Sequence, residues 1–128
     1  ITQYASWPIT VCAERYPDLL KPHLKKLVKN LRREGLHDAV KRNTVRSLQF
    51  IDVPKSLQGE VVDVCFKYLT GDEALAIKVF SMTVLARIAK DQPELKNELI
   101  PIIEDQMPYG SPGLRSRGSK ILKKLKAL

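Results

Sequence analysis

Residues 84–107 read "VLARIAKDQPELKNELIPIIEDQM". They form two apolar-periodic segments hinged at Gln92-Pro93, and Pro at such a point ends one helix and can open the next. A looser version of the same phrase stands at residues 47–69, "SLQFIDVPKSLQGEVVDVCFKYL", and another at 9–31, "ITVCAERYPDLLKPHLKKLVKNL". Self-similarity at a fixed spacing takes precedence over residue-level reading, because a missed repeat misassigns the whole fold.

The register is explicit. Val40, Thr44, Leu48 and Ile51 step by four, four and three, one stripe of a helix. A shift of 37 residues gives Ile77, Ser81, Leu85 and Ile88, and a further 37 gives Leu114, Gly118, Leu122 and Leu125. A shift of 39 backwards gives Ile1, Ala5, Ile9 and Cys12. The second position of each stripe is small (Ala5, Thr44, Ser81, Gly118), which lets a neighbouring helix approach closely. The segments between these stripes keep their own register. Leu20, Leu24, Leu27, Val28 and Leu31 correspond to Leu57, Val61, Val64, Cys65 and Tyr68, and then to Leu95, Leu99, Ile102, Ile103 and Gln106. Each pair of helices is joined by a Pro-bearing turn ("RYPD", "DVPKS", "DQPE"). Successive pairs are joined by "REGLHD", "LTGDE" and "MPYGSPG", with Gly placed to cap the second helix.

The unit is therefore a helical hairpin of about 37 residues. A single hairpin cannot bury its stripe, and stacking supplies the missing wall. With "PELKNELIPIIEDQM" as second helix, carrying an internal Pro101, and "DAVKRNTVRSL" as first helix, the chain resembles the HEAT repeats of the armadillo-like α-solenoids over nearly all its length. Tetratricopeptide and pentatricopeptide arrays fit less well, because their periods are shorter and their Trp-Leu-Gly-Tyr marks are missing. The resemblance implies an all-α fold, a right-handed α-solenoid of about three and a half hairpins. It would form one domain over residues 1–128, with repeats at about 1–35, 36–71 and 72–110 and a terminal half-repeat at 111–128.

Composition fits this reading. The 128 residues suit one domain, and at this size roughly two thirds of the unfolded surface can be buried without crosslinks. Cys12 and Cys65 are too few and too far apart for a disulfide framework or a zinc site. On apolar helix faces they read as small buried hydrophobes, which places the chain in a reducing compartment, the cytoplasm. No apolar run approaches membrane-spanning length. The chain begins at Ile1, which leaves a removed leader open.

Net charge is +8, and its distribution carries more information than its total. Residues 1–20 contribute −1, 21–46 +7, 47–112 −4 and 113–128 +6. In the first basic block Lys21, Lys25, Lys29 and Arg32 form a helical stripe, and Lys41, Arg42 and Arg46 lie away from the core of the next helix. Lys41, Lys78 and Arg115 share one register, which predicts a row of cations at the spacing of packed helices, roughly 10 Å. The last helix adds Lys120 and its neighbours. Such faces are candidates for phosphate or an acidic partner, against simple solvation of good helix formers. Few aromatics are available for stacking on bases.

The first helix of the third repeat, "EALAIKVFSMTVLARIA", is apolar nearly all round. Val79, Met82, Thr83 and Ala86 lie off its core stripe and are candidates for a protein interface or a homodimer seam. Val62, Phe66 and Leu69 extend an apolar groove on the second-helix layer.

Chemistry-bearing constellations are missing from the sequence. His23 and His37 have no Cys, His or carboxylate at ligand spacing, and "GSPGLRSRG" lacks the Walker spacing. No metal, cofactor or catalytic residue is expected. The alkylpurine DNA glycosylases with HEAT-like folds are similar in fold and charge only, and the aromatic and acidic cleft of such enzymes has no counterpart here. The resemblance thus implies a non-catalytic binding or scaffold module with a protein partner. A nucleic-acid-binding solenoid is the alternative. Contact with an anionic membrane surface ranks third, because Leu114, Ile121, Leu122 and Leu125 are needed to close the array.

Overall fold

A computed structural model describes residue 15, residues 21–33 and residues 35–128. Six α-helices follow in order among them: α1 (Leu24–Leu31), α2 (Asp38–Leu48), α3 (Lys55–Thr70), α4 (Leu75–Ala89), α5 (Lys96–Gln106) and α6 (Pro112–Lys126). No strand occurs among the described residues, so the all-α expectation holds. The stripe Ile1, Ala5, Ile9, Cys12 lies outside the described residues, as do Leu20 and the side chain of Lys21. Two compact units divide the chain, residues 1–64 and 65–128.

In the first unit the periodic residues form the core. Leu24, Leu27, Val28 and Leu31 of α1 are buried, and so are Val40, Thr44, Leu48 and Ile51 in and after α2. Gly35 follows α1 at φ +73°, a left-handed conformation that any side chain would strain. His37 caps α2, its Nδ1 accepting from the Ala39 N–H at 3.2 Å, which satisfies one donor of the exposed first turn. The expected Pro turn is present. The Pro54 carbonyl accepts from Leu57 and Gln58, and the buried Gln58 donates Nε2 to the Val53 carbonyl at 3.1 Å. Gln58 thus holds the turn closed from inside.

In the second unit α4, α5 and α6 pack on one another. Ile77, Ser81, Leu85 and Ile88 of α4 are buried, as are Leu99 and Ile103 of α5. Gln106, the polar exception in the second-helix register, donates Nε2 to the Leu69 carbonyl at 2.7 Å. At Gly71 a Cβ would lie 2.8 Å from the Lys67 carbonyl oxygen, so glycine permits the chain to leave α3 there. Pro93 opens a 3₁₀ turn ahead of α5. Ser111 caps α6 by accepting from the Leu114 N–H, with Pro112 in the first turn.

The small position of α6 performs the role its pattern suggests. A Cβ on the buried Gly118 would lie 3.1 Å from Met107 Sδ and 3.4 Å from Ile103 Cγ2. The absence of a side chain lets α6 sit against α5. One stripe position departs from expectation. Leu122 is half-buried and Ile121 takes its place in the core, because α6 turns one continuous edge, Leu114, Gly118, Ile121 and Leu125, toward its neighbours. Leu69 is also core rather than groove, while Val62 and Phe66 are half-buried.

Candidate interaction surfaces

The cationic stripe is exposed at Lys25 and Lys29 of α1 and at Arg32, which follows its last residue. Arg32 is committed within the chain: its Nε lies 3.6 Å from Glu60 and its Nη2 3.5 Å from Asp63, both on α3. The stripe is therefore partly neutralised at one end. On α2, Arg42 is exposed, while Lys41 and Arg46 are half-buried.

Two members of the expected cation row, Lys78 and Arg115, lie in the second unit. Lys78 lines a hollow of about 280 Å³ with Leu75, Tyr109 and Leu114. Arg115 lines a shallower one of about 500 Å³ with Met107, Pro108 and Leu122. The two cations open onto different hollows because one lies by the start of α4 and the other in the groove between α5 and α6. Lys41 belongs to the unit formed by residues 1–64.

The apolar candidates on α4 divide. Val79, Thr83 and Ala86 are half-buried, whereas Met82 is 1 % exposed and belongs to the core. The reason is that α4 packs on both α5 and α6. A helix with two neighbours buries a wider arc than one stripe, and Met82 and Ala89 lie seven residues apart on its edge.

One contact joins this stripe to the second basic block. Arg117 Nη1 donates to Thr83 Oγ1 at 2.9 Å, and Thr83 in turn donates to the Val79 carbonyl at 3.1 Å. The hydroxyl is satisfied in both senses, so Val79, Thr83 and Ala86 present mainly carbon. Beside them on α6 run Arg117, Lys120 and Lys124, at spacings of three and four on one flank, with Lys120 and Lys124 exposed. Sequence reading overlooked the link, although a signal exists. Arg117 lies 34 residues after Thr83, one repeat of 37 less one helical turn, within reach of a long guanidinium side chain. On the opposite flank Lys126 approaches Glu104 at 4.0 Å.

Among the described residues the buried titratable groups are Cys65 and Tyr68. Burial pushes the Cys65 thiol up to about 12, with the neighbouring Ser81 hydroxyl pulling weakly the other way. That hydroxyl makes no well-formed hydrogen bond among the described residues. Cys65 stays a protonated, inert thiol at neutral pH. Burial first, and then the charge of Glu73, raise the Tyr68 phenol above its ordinary value. Among the described residues no three of His, Cys, Asp and Glu converge as metal ligands, and no helix is long and apolar enough to cross a membrane.

Hairpins of amphipathic helices with Pro turns, a small residue in the first-helix core stripe and a period near 37 define a helical-repeat protein. A profile of the HEAT repeat domain matches residues 1–125, and the chain belongs to the HEAT repeat family. HEAT repeats generally mediate protein–protein interaction or scaffolding and are generally non-catalytic. Comparison with curated proteins and with solved structures gives no match.

Proposed function

We propose that this chain is a non-catalytic binding or scaffold module that engages a partner protein through a side-chain surface held rigid by its packed helices. The observation that carries the reading is the Arg117–Thr83 contact, which couples an apolar stripe on α4 to a cationic flank on α6. A surface of mixed character, fixed in place before binding, lowers the ordering cost of association. The rival is phosphate binding. It is favoured by α6 alone, which carries six cations and no acid between Pro112 and Lys126, but it leaves the α4 stripe without a role.

Two measurements on the full chain separate them. Fluorescence anisotropy with labelled polyuridylate and duplex DNA, at several salt concentrations, reads phosphate binding directly through its salt slope. Panning of a displayed library of random 16-residue peptides reads protein recognition. Enrichment of peptides together with weak nucleic-acid binding at physiological salt is the expected result. Tight, salt-sensitive binding of polyuridylate with no enriched peptide would overturn the reading.

A further inference from the structure

We propose that the face shared by α4 and α6 docks an acidic amphipathic helix of a partner protein. The inference rests on the protein-binding reading and names the chemistry of the partner. Three observations lead to it. Val79, Thr83 and Ala86 follow one another at spacings of four and three and are all half-buried, so α4 offers a shallow stripe about two turns long, about 10 Å. Arg117, Lys120 and Lys124 cover the same length on α6, and the 2.9 Å bond from Arg117 to Thr83 puts that flank beside the stripe. Neither helix contains a carboxylate: α4 carries Lys78 and Arg87, and α6 only cations.

A complementary surface needs aliphatic or small side chains along one line and carboxylates along the adjacent line. An amphipathic helix with acids at i, i+3 or i+4 beside its apolar positions has that form. Other occupants fit less well. A nucleic acid would use the cations and gain nothing from the apolar stripe, because neither Val79, Thr83 nor Ala86 is a flat ring on which a base could stack. A second copy of the chain docking by the same face across a two-fold axis would set the cationic flanks of both copies on one small patch, where like charges oppose association.

The test uses peptides enriched in the panning described above, resynthesised with a fluorophore and titrated against the full chain. The expected peptides carry net negative charge and at least two carboxylates one turn apart, next to aliphatic residues. Their affinity should fall at least tenfold for the double variant Lys120→Glu/Lys124→Glu, whose sites are exposed. It should stay within twofold for Lys25→Glu/Lys29→Glu. Val79→Asp should also weaken binding, with circular dichroism as a check on its fold. Enriched peptides without acidic character, or an affinity indifferent to Lys120→Glu/Lys124→Glu, would overturn this inference and leave the protein-binding reading standing. An absence of enriched peptides would overturn both.

Discussion

Helices α1 and α6 both carry rows of cations, and an arginine at the end of one and within the other is held in an intramolecular contact, but the contacts differ in kind. Arg32, at the C-terminal cap of α1, meets two carboxylates, Glu60 and Asp63. Arg117 of α6 meets a neutral hydroxyl, that of Thr83. The first arrangement sets a cation against opposite charge, and the second fixes a cation against the neighbouring helix through a neutral group. Similar stripes in sequence therefore become different surfaces: a solvated, partly neutralised helix in one unit, and a positioned flank beside apolar residues, on a helix with no acid of its own, in the other. Cation count alone does not mark an interaction surface; what the neighbouring helix offers does.

The largest expected effect comes from removing the support under α6. Gly118→Leu places a side chain where Met107 and Ile103 already stand within 3.4 Å of a bare Cβ. Overpacking of this kind costs about 2 kcal/mol. The unfolding free energy should fall by that amount, read as a lower denaturant midpoint at constant slope. Gly59→Ala on α3, where a Cβ would meet nothing within 4 Å, should leave stability equal or slightly higher through helix propensity. If Gly118→Leu were neutral, α6 would not be seated on α5 as described, and the contrast with α1 would lose its structural basis.

Next comes the charge itself. Reversal of Lys120 and Lys124 should weaken an acidic peptide about tenfold, about 1.4 kcal/mol, whereas reversal of Lys25 and Lys29 should not. Equal losses from both pairs, read by fluorescence anisotropy, would mean that net charge rather than placement governs binding.

Much of this was legible in the sequence, and the misses have physical causes. The repeat register located the buried residues of α1 and α2 because those helices are strongly amphipathic, with Leu24, Leu27, Val28 and Leu31 all inside. It misjudged α4 for the opposite reason. A helix apolar all round gives periodicity little contrast, so Met82 read as surface although it is core. Gln58 escaped notice because a buried glutamine bonded to a turn carbonyl has no pattern of its own, and His37 because histidine is an uncommon cap. The candidate surface was read as two separate sets, Val79, Thr83 and Ala86 on one helix and Lys120 on another. The hydrogen bond from Arg117 joins them, and pairwise contacts of that kind depend on how neighbouring helices rotate against each other.

A smaller effect tests that joint. Thr83→Val keeps the shape and removes the hydroxyl, so it deletes the acceptor for Arg117 and the bond to the Val79 carbonyl together. In a half-buried site the loss should be about 1 kcal/mol or less, read as a modest fall in melting temperature. Binding of an acidic peptide should weaken by only a few fold, because Arg117 keeps its charge. A loss as large as that from Lys120→Glu/Lys124→Glu would make the joint, rather than the flank, the principal recognition element.

The smallest effect is expected at the other end of the comparison. The side chains of Arg32, Glu60 and Asp63 are 47 %, 40 % and 75 % exposed, so water screens both pairs and the long arginine loses rotamer freedom in making them. Exposed pairs of this type contribute about 0.5 kcal/mol. Arg32→Ala should accordingly lower the unfolding free energy, read from the denaturant midpoint at constant slope, by that amount at low salt and by less at high salt, since screening already weakens the wild-type pairs there. The same substitution leaves Glu60 and Asp63 without their cation, making the surface near α1 more acidic, and any acidic peptide should be indifferent to it if recognition lies on α6. A drop in affinity from Arg32→Ala comparable to that from reversing Lys120 and Lys124 would place the docking surface on α1, and the neutralised stripe would then be the functional one.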